Sequence, residues 1–380
     1  MQALDTYLQQ ATTDGTIPGA VVCVAQHGHI VWQQAYGLAA CYPQPRPMQG
    51  ETLFDIASLT KVVATTSLLL RAHHEQVCCL DTVLQSCYPQ LCGTALGAVT
   101  VRQLLAHTGG LAAWLPLYET LLPAGPAMPA GTSAASRRQH AVQGILQAPL
   151  AYTPGTQTVY SDLGFMILAD LLERRYQQAL DRLFLEQVAQ PLGLHNTAYR
   201  PLCATPLASA LPPAAAGANP GCAATENCPW RGRVLAGEVH DENAWAMGGV
   251  AGHAGLFATA ADLWHFTQAL LEAAAGRSAW LPAALLQESW QRCSTSPGTT
   301  RALGWDTPTP GRSSSGDYFS ASSIGHLGFT GCSIWIDRVR QITVILCTNR
   351  VHPSRHATGI TRVRPAVHNL IMHALGVTTT

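Results

Sequence analysis

Two pairs of apolar, β-branched segments sit at opposite ends of this chain, and they constrain its fold more than any other feature. Residues 19–25 (GAVVCVA) and 29–36 read as short strands joined by a Gln26-His27-Gly28 turn, which suits a hairpin. At the far end, SIWID at 333–337 and QITVILCTN at 341–349 repeat the pattern. A lone hairpin is marginal in water, so the expected arrangement is an antiparallel sheet made from both chain ends. Helices over residues 2–12 and 361–375 are expected to pack on it.

Between the ends the periodicity is helical. Residues 59–75 (LTKVVATTSLLLRAHHE) lack Gly and Pro and space their apolar residues for one helix face. VRQLLAH at 101–107, YSDLGFMILADLLERRY at 160–176 and AADLWHFTQALLEAA at 260–274 read the same way. Asp162, and Thr259 or Asp262, are placed to cap helix starts. The expected fold class is therefore α/β. Residues 1–55 and 265–380 form a sheet domain, and a mostly helical domain occupies 56–264. Two stretches rich in Ala, Pro and Gly, 121–135 and 204–224, read as loops, the second long enough to cover a site.

Charge excludes some partners. The 22 basic and 22 acidic residues cancel and no long run of one sign occurs, so neither nucleic acid nor an anionic membrane is an expected partner. No stretch approaches a membrane span. Residues 1–15 lack a basic start followed by an apolar run, so the expected location is cytoplasmic, although a signal already cleaved would leave the same sequence. Twelve cysteines without a C-x-x-C pair are expected to be reduced and mostly buried. Cys222 and Cys228 are the pair best placed to form a disulfide. The oligomeric state is left open, and no cofactor is expected.

Of the 22 basic residues, 21 are arginine, and the single lysine is Lys61 in FDIASLTK. Arginine does not lose its proton in a protein, whereas a desolvated lysine does. The position that kept lysine is expected to need a titratable amine. Ser58 stands three residues before it, and if a helix begins there the two side chains share a face. The spacing alone is weak evidence; with the helix start and the single lysine it becomes strong.

S-x-x-K opening an apolar helix resembles the nucleophile motif of serine β-lactamases and penicillin-binding proteins. Two further elements carry the resemblance to the class C β-lactamase-like branch. Tyr160-Ser161-Asp162 opens a helix, as that branch's middle tyrosine motif does. His326-Leu327-Gly328 precedes a predicted strand, where the branch often has His for Lys. The similarity runs from IPGAVVCVAQHG at 17–28 through LLAHTGGL at 104–111 to TNRVHP at 348–353.

The resemblance implies a serine hydrolase acting on an ester or amide through an acyl-serine intermediate. Ser58 is then the nucleophile, and Lys61 and Tyr160 share the general-base role. The backbone N–H groups of Ser58 and Phe329 form the oxyanion hole. Asp162, His326 and Gly328 face the substrate, with His326 binding a carboxylate or polarising the pocket. The substrate is a small molecule or peptide.

Two departures from the family pattern matter. Asp162 stands where amidases and β-lactamases usually carry Asn, and either pairs with Lys61 or caps its helix. His326 and Leu327 replace a fixed cation and a hydroxyl that grip β-lactam carboxylates, which weakens the expectation of β-lactam hydrolysis. The segment GEVHDENAWAMGGVAGHAGLF at 237–257 resembles a subgroup with links to cell-wall peptides. His240, Asp241, Glu242 and His253 in it lack metal-ligand spacing. No metal is expected there; a glycine-rich loop lining the pocket, its polar groups bonded to backbone, is. The missing signal favours an esterase or cytoplasmic peptide chemistry, with a D-Ala peptide or muropeptide hydrolase as the alternative. A catalytically silent penicillin-recognising sensor is the reading from another class, opposed by the intact Ser58, Lys61 and Tyr160.

Overall fold

The computed structural model describes residues 1–128, 131–202, 221–293 and 298–378. In chain order its strands are β1 Gly19–Gln26, β2 His29–Ala40, β3 Arg46–Pro47, β4 Phe54–Asp55, β5 Ala198–Tyr199, β6 Ala224–Cys228, β7 Arg233–Ala236, β8 Leu256–Ala258, β9 Ile324–Leu327, β10 Ser333–Asp337 and β11 Ile342–Thr348. Six form one antiparallel sheet in the order β3-β2-β1-β11-β10-β9. The two chain ends meet at its centre, where Ala20 opposes Thr348 and Gln26 opposes Ile342.

The central strands read as unbroken apolar runs because each serves two cores. Side chains alternate across a strand. From β1, Val21 and Cys23 enter the large core shared with the helices of the middle of the chain. Ala20, Val22 and Val24 enter a second core under the terminal helices. β11 divides the same way, Ile345 and Cys347 to one side and Val344 and Leu346 to the other. The helices Gln2–Thr13 and Ile360–Ala374 supply Leu4, Leu8, Val363 and Val367 to that second core.

The middle of the chain is mainly helical, with two departures from expectation at the site. The 59–75 segment is not one regular helix. A 3₁₀ turn over Ala57–Leu59 leads into a π-helical turn over Lys61–Thr66, and only Ser67–His74 is α-helical. Wide turns of this kind cluster at functional sites because they shift side chains off the regular face. The Asp162–Tyr176 helix is N-capped by Ser161, without a side-chain cap bond, so Asp162 is not its cap. Thr259 does cap the Ala260–Ala274 helix, accepting the Asp262 N–H at 3.2 Å.

Smaller corrections follow from pairing. β2 continues past residue 36 to Ala40 because Leu38 and Ala40 pair with β3. In the 204–224 loop, residues 204–220 lie outside the described residues, and Ala224 already begins β6. Cys222 and Cys228 are both free and buried, as thiols rather than a disulfide. Among the described residues no helix is long and apolar enough to cross a membrane.

Candidate active site

The chain turns sharply into Ser58. Ala57 adopts φ +46°, a left-handed conformation costly for a residue with a Cβ. Asp55 holds it there: its Oδ1 accepts the Ala57 N–H at 2.8 Å, while Oδ2 accepts the His240 N–H at 2.6 Å. Asp55 is fully buried, which pushes its carboxyl up, and the two N–H donors work against that rise. The turn after β9 is fastened to the same corner. Thr330 Oγ1 donates to the Asp55 carbonyl at 2.7 Å. A Cβ on Gly328 would stand 2.5 Å from the Ile56 carbonyl oxygen, so only glycine lets the two segments meet. Phe329 thereby joins Ser58 in the lining of a cleft of about 580 Å³. Among the described residues its N–H donates to no other group.

Lys61 is fully buried, and its ammonium spends each of its three protons. It donates to Ser58 Oγ at 3.0 Å, to Asp162 Oδ1 at 2.7 Å and to the His253 carbonyl at 3.3 Å. Asp162 therefore pairs with Lys61, one of the two roles open to it in sequence. The pairing alters the expected chemistry. Burial alone pushes the amine down, but the Asp162 carboxylate and the Tyr160 hydroxyl outweigh it and hold Lys61 above the ordinary lysine value. The lysine is a held cation, not the lowered amine that its uniqueness suggested.

Tyr160 is clamped by a residue that sequence reasoning did not assign. The His107 carbonyl accepts the Val159 N–H at 3.0 Å, and His107 Nδ1 accepts the Ser161 N–H at 3.0 Å. The imidazole lies 4.6 Å from the Tyr160 ring, centroid to centroid. Burial first, then the nearby Arg301 and Lys61 cations, drives His107 well below the usual histidine value, so it is a neutral ring. Two cations flank Tyr160: Lys61 Nζ lies 4.8 Å from its ring centre and the Arg301 guanidinium 4.9 Å. Arg301 sits on a short link whose Asp306 exchanges two backbone hydrogen bonds with Gly325 of β9, at 2.8 and 2.9 Å. No periodicity or spacing marked it.

His326 precedes the strand expected at 333–337, now β10, and itself lies in β9, opposite Ile334. It lines the cleft but is buried, and burial, with Arg301 and Lys61 close by, drives it well below the ordinary value. Nδ1 donates to the Leu327 carbonyl at 2.9 Å, which leaves Nε2 as a bare acceptor. As a neutral ring it brings no fixed charge for a carboxylate. The cations lining the cleft are arginines, among them Arg301, Arg350 and Arg364.

The 237–257 segment lines the cleft, but its polar groups pair mostly with side chains rather than with backbone. His253 Nε2 meets Asp241 Oδ1 at 2.9 Å, and His240 Nε2 meets Glu226 Oε2 at 3.1 Å. Glu226 and Glu242 both hold Arg355. The arginine and His240 outweigh burial and keep the Glu226 carboxyl down at about 2. Residues 242–246 form a short helix capped by Asp241. Asp162, Asp241 and His253 bring ligand atoms within 4.8 Å of one another, a spacing that could hold a metal ion. Lys61 occupies Asp162 Oδ1, and His253 Nε2 and the Ala244 N–H share Asp241 Oδ1, while His253 Nδ1 has no partner among the described residues.

A serine and a buried lysine on adjoining turns, a tyrosine just ahead of the Asp162–Tyr176 helix and a glycine-bearing edge strand define the penicillin-recognising class of serine hydrolase. The family model described as Beta-lactamase matches residues 4–368, and the chain belongs to that family. It is 30% identical over 376 residues to the "Putative D-alanyl-D-alanine carboxypeptidase" of Escherichia coli strain K12, covering 93% of this chain and 82% of that one. Identity to the N-acetylmuramyl-L-alanine amidase of Bacillus subtilis strain 168 is 29% over 374 residues, covering 93% and 81%. Among solved structures, EstCE1, a hydrolase with promiscuous acyltransferase activity, superposes with a TM-score of 0.69 at 22% identity, covering 96% and 97%. This chain is accordingly a serine hydrolase of β-lactamase fold.

Proposed function

We propose that the protein cleaves an amide in a carboxylate-bearing, cell-wall type peptide through an acyl enzyme on Ser58. The observation that carries the chemistry is the buried Lys61 ammonium, 3.0 Å from Ser58 Oγ and 2.7 Å from Asp162. Because Lys61 is held charged and already donates to Ser58 Oγ, the base role falls to Tyr160, whose oxygen takes the Ser58 proton when it acts in its phenolate form beside the Lys61 and Arg301 cations. Ser58 Oγ bonds to the carbonyl carbon, and the oxyanion is received by the Ser58 and Phe329 N–H groups. Tyr160 returns the proton to the leaving amine as the C–N bond breaks, and water then releases the acid by the reverse path.

The substrate class rests on two supports. The relatives that share about 30% identity over most of the chain bear names of cell-wall peptide and muramyl amide hydrolases. In the cleft, Arg350 donates to the carbonyls of Phe329, Arg355 and Ala357 and to no carboxylate among the described residues. An uncompensated guanidinium suits an anionic substrate group.

The test is turnover of three substrates by wild type and Ser58→Ala: a peptide ending in D-Ala-D-Ala, an N-acetylmuramyl-L-alanine peptide and p-nitrophenyl butyrate. Serine-dependent amine release from either peptide, with kcat/KM above that for the ester, is the expected result. Turnover of the ester alone would replace the peptide reading with an esterase.

A further inference from the structure

Gly328 and Phe329 share one peptide group: its C=O belongs to Gly328 and its N–H to Phe329. Arg364, on the Ile360–Ala374 helix, directs Nη2 to that C=O at 2.7 Å and to the Cys332 carbonyl at 2.9 Å. The same two carbonyls close the turn, since Gly331 N–H donates to Gly328 O at 3.0 Å and Gly328 N–H to Cys332 O at 2.7 Å. Across Phe329, Arg350 Nε holds the next carbonyl, Phe329 O, at 2.8 Å.

Arg364 is an unusual residue to bury for packing alone. It is 8% exposed, its Nε has no partner, and no carboxylate pairs with it among the described residues. Burial pushes its guanidinium down to about 10, which still leaves it charged at neutral pH. A buried cation satisfied only by carbonyls is costly, and here its shorter bond is to the peptide whose N–H, that of Phe329, has no partner among the described residues.

We propose that Arg364 is a positioning residue for the oxyanion hole, fixing and polarising the Gly328–Phe329 peptide so that its N–H is aimed at the developing oxyanion. A trans peptide points N–H and C=O in opposite directions, so a bond that fixes the C=O fixes the N–H. A charged donor on the C=O draws electrons from the amide and strengthens the N–H as a donor. The proposal rests on the reading of Phe329 N–H as an oxyanion donor.

The experiment uses p-nitrophenyl acetate, which is neutral, a carboxylated ester of the same phenol, and phenylboronic acid, whose serine adduct mimics the tetrahedral intermediate. Arg364→Met is expected to lower kcat about 10- to 100-fold on both esters, somewhat less than loss of a whole oxyanion donor. KM stays within about twofold, and the boronate inhibition constant rises in step with the loss of kcat. Arg364→Lys, which keeps a charged donor, recovers part of the loss. A loss confined to the carboxylated ester would mean that the guanidinium binds substrate directly, and would overturn the proposal, as would an unchanged kcat. Phe329→Pro deletes the N–H itself. If it lowers kcat while Arg364→Met does not, the oxyanion reading stands and the arginine's part in it fails. If it leaves kcat intact, both fail. Circular dichroism sets the folded fraction, and if Arg364→Met does not fold, Arg364→Gln, which removes the charge, takes its place under the same criterion.

Discussion

At the scale of residues, the site turns on how Lys61 is kept charged. Its partner is the Asp162 carboxylate, and exchanging that residue for Asn has a directional consequence. Asp162→Asn removes the carboxylate that offsets burial, so the amine should lose its proton at lower pH. The alkaline limb of the kcat/KM profile is expected to move to lower pH, with a fall of about tenfold or more at pH 7. An unmoved limb would show that Lys61 does not set it. The same pair contributes to stability. Because Lys61 is raised in the fold, that contribution is complete below its ordinary value of 10.5 and is lost only as pH rises through the folded value. The Ser58–Lys61 spacing and the Tyr160 position were legible in the sequence because short local motifs carry them. Arg301, His107 and Asp55 were not, since each acts across the fold: Asp55 reaches residue 240 and His107 reaches residue 161.

At the scale of elements, the regular pieces were legible where one period ran unbroken. The strands at 333–337 and 342–348 and the 260–274 helix follow directly from apolar patterning. The segment after Ser58 was misread as a single helix because a π turn leaves apolar spacing almost unchanged while shifting the hydrogen bonds by one residue. That turn is braced by the loop opposite: Thr65 Oγ1 donates to the Gly252 carbonyl at 2.6 Å, and the next carbonyl, His253, receives Lys61. Gly252 also packs so closely on the Asp162–Tyr176 helix that a Cβ would lie 2.1 Å from the Phe165 carbonyl oxygen. Gly252→Ala is therefore expected to destabilise the protein by about 1–3 kcal/mol, seen in urea denaturation, and to lower kcat by moving the His253 carbonyl from Lys61. Wild-type stability and kcat would show that the loop yields without disturbing the site.

At the scale of the molecule, four buried histidines couple folding to pH. Burial holds His107 and His326 well below 6.5, His352 below it and His368 down at about 4, so all four are neutral at pH 7. In the unfolded chain they take up protons near pH 6.5. Depressed values mean that their stabilising contribution is complete above that pH and is lost as pH falls through the folded values. Urea denaturation from pH 7.5 to 4.5 should show stability falling below pH 6.5 by up to about 1.4 kcal/mol per pH unit for each histidine that stays neutral. A flat profile over that range would contradict their burial. The central claim, that Ser58 becomes acylated, is tested most directly by quenching wild type and Ser58→Ala in acid during turnover of p-nitrophenyl butyrate and recording the intact mass. One butyryl group on wild type, mapped to the peptide carrying Ser58 and missing from the variant, is the result predicted. Turnover with no adduct at Ser58, or an adduct that persists in Ser58→Ala, would contradict it.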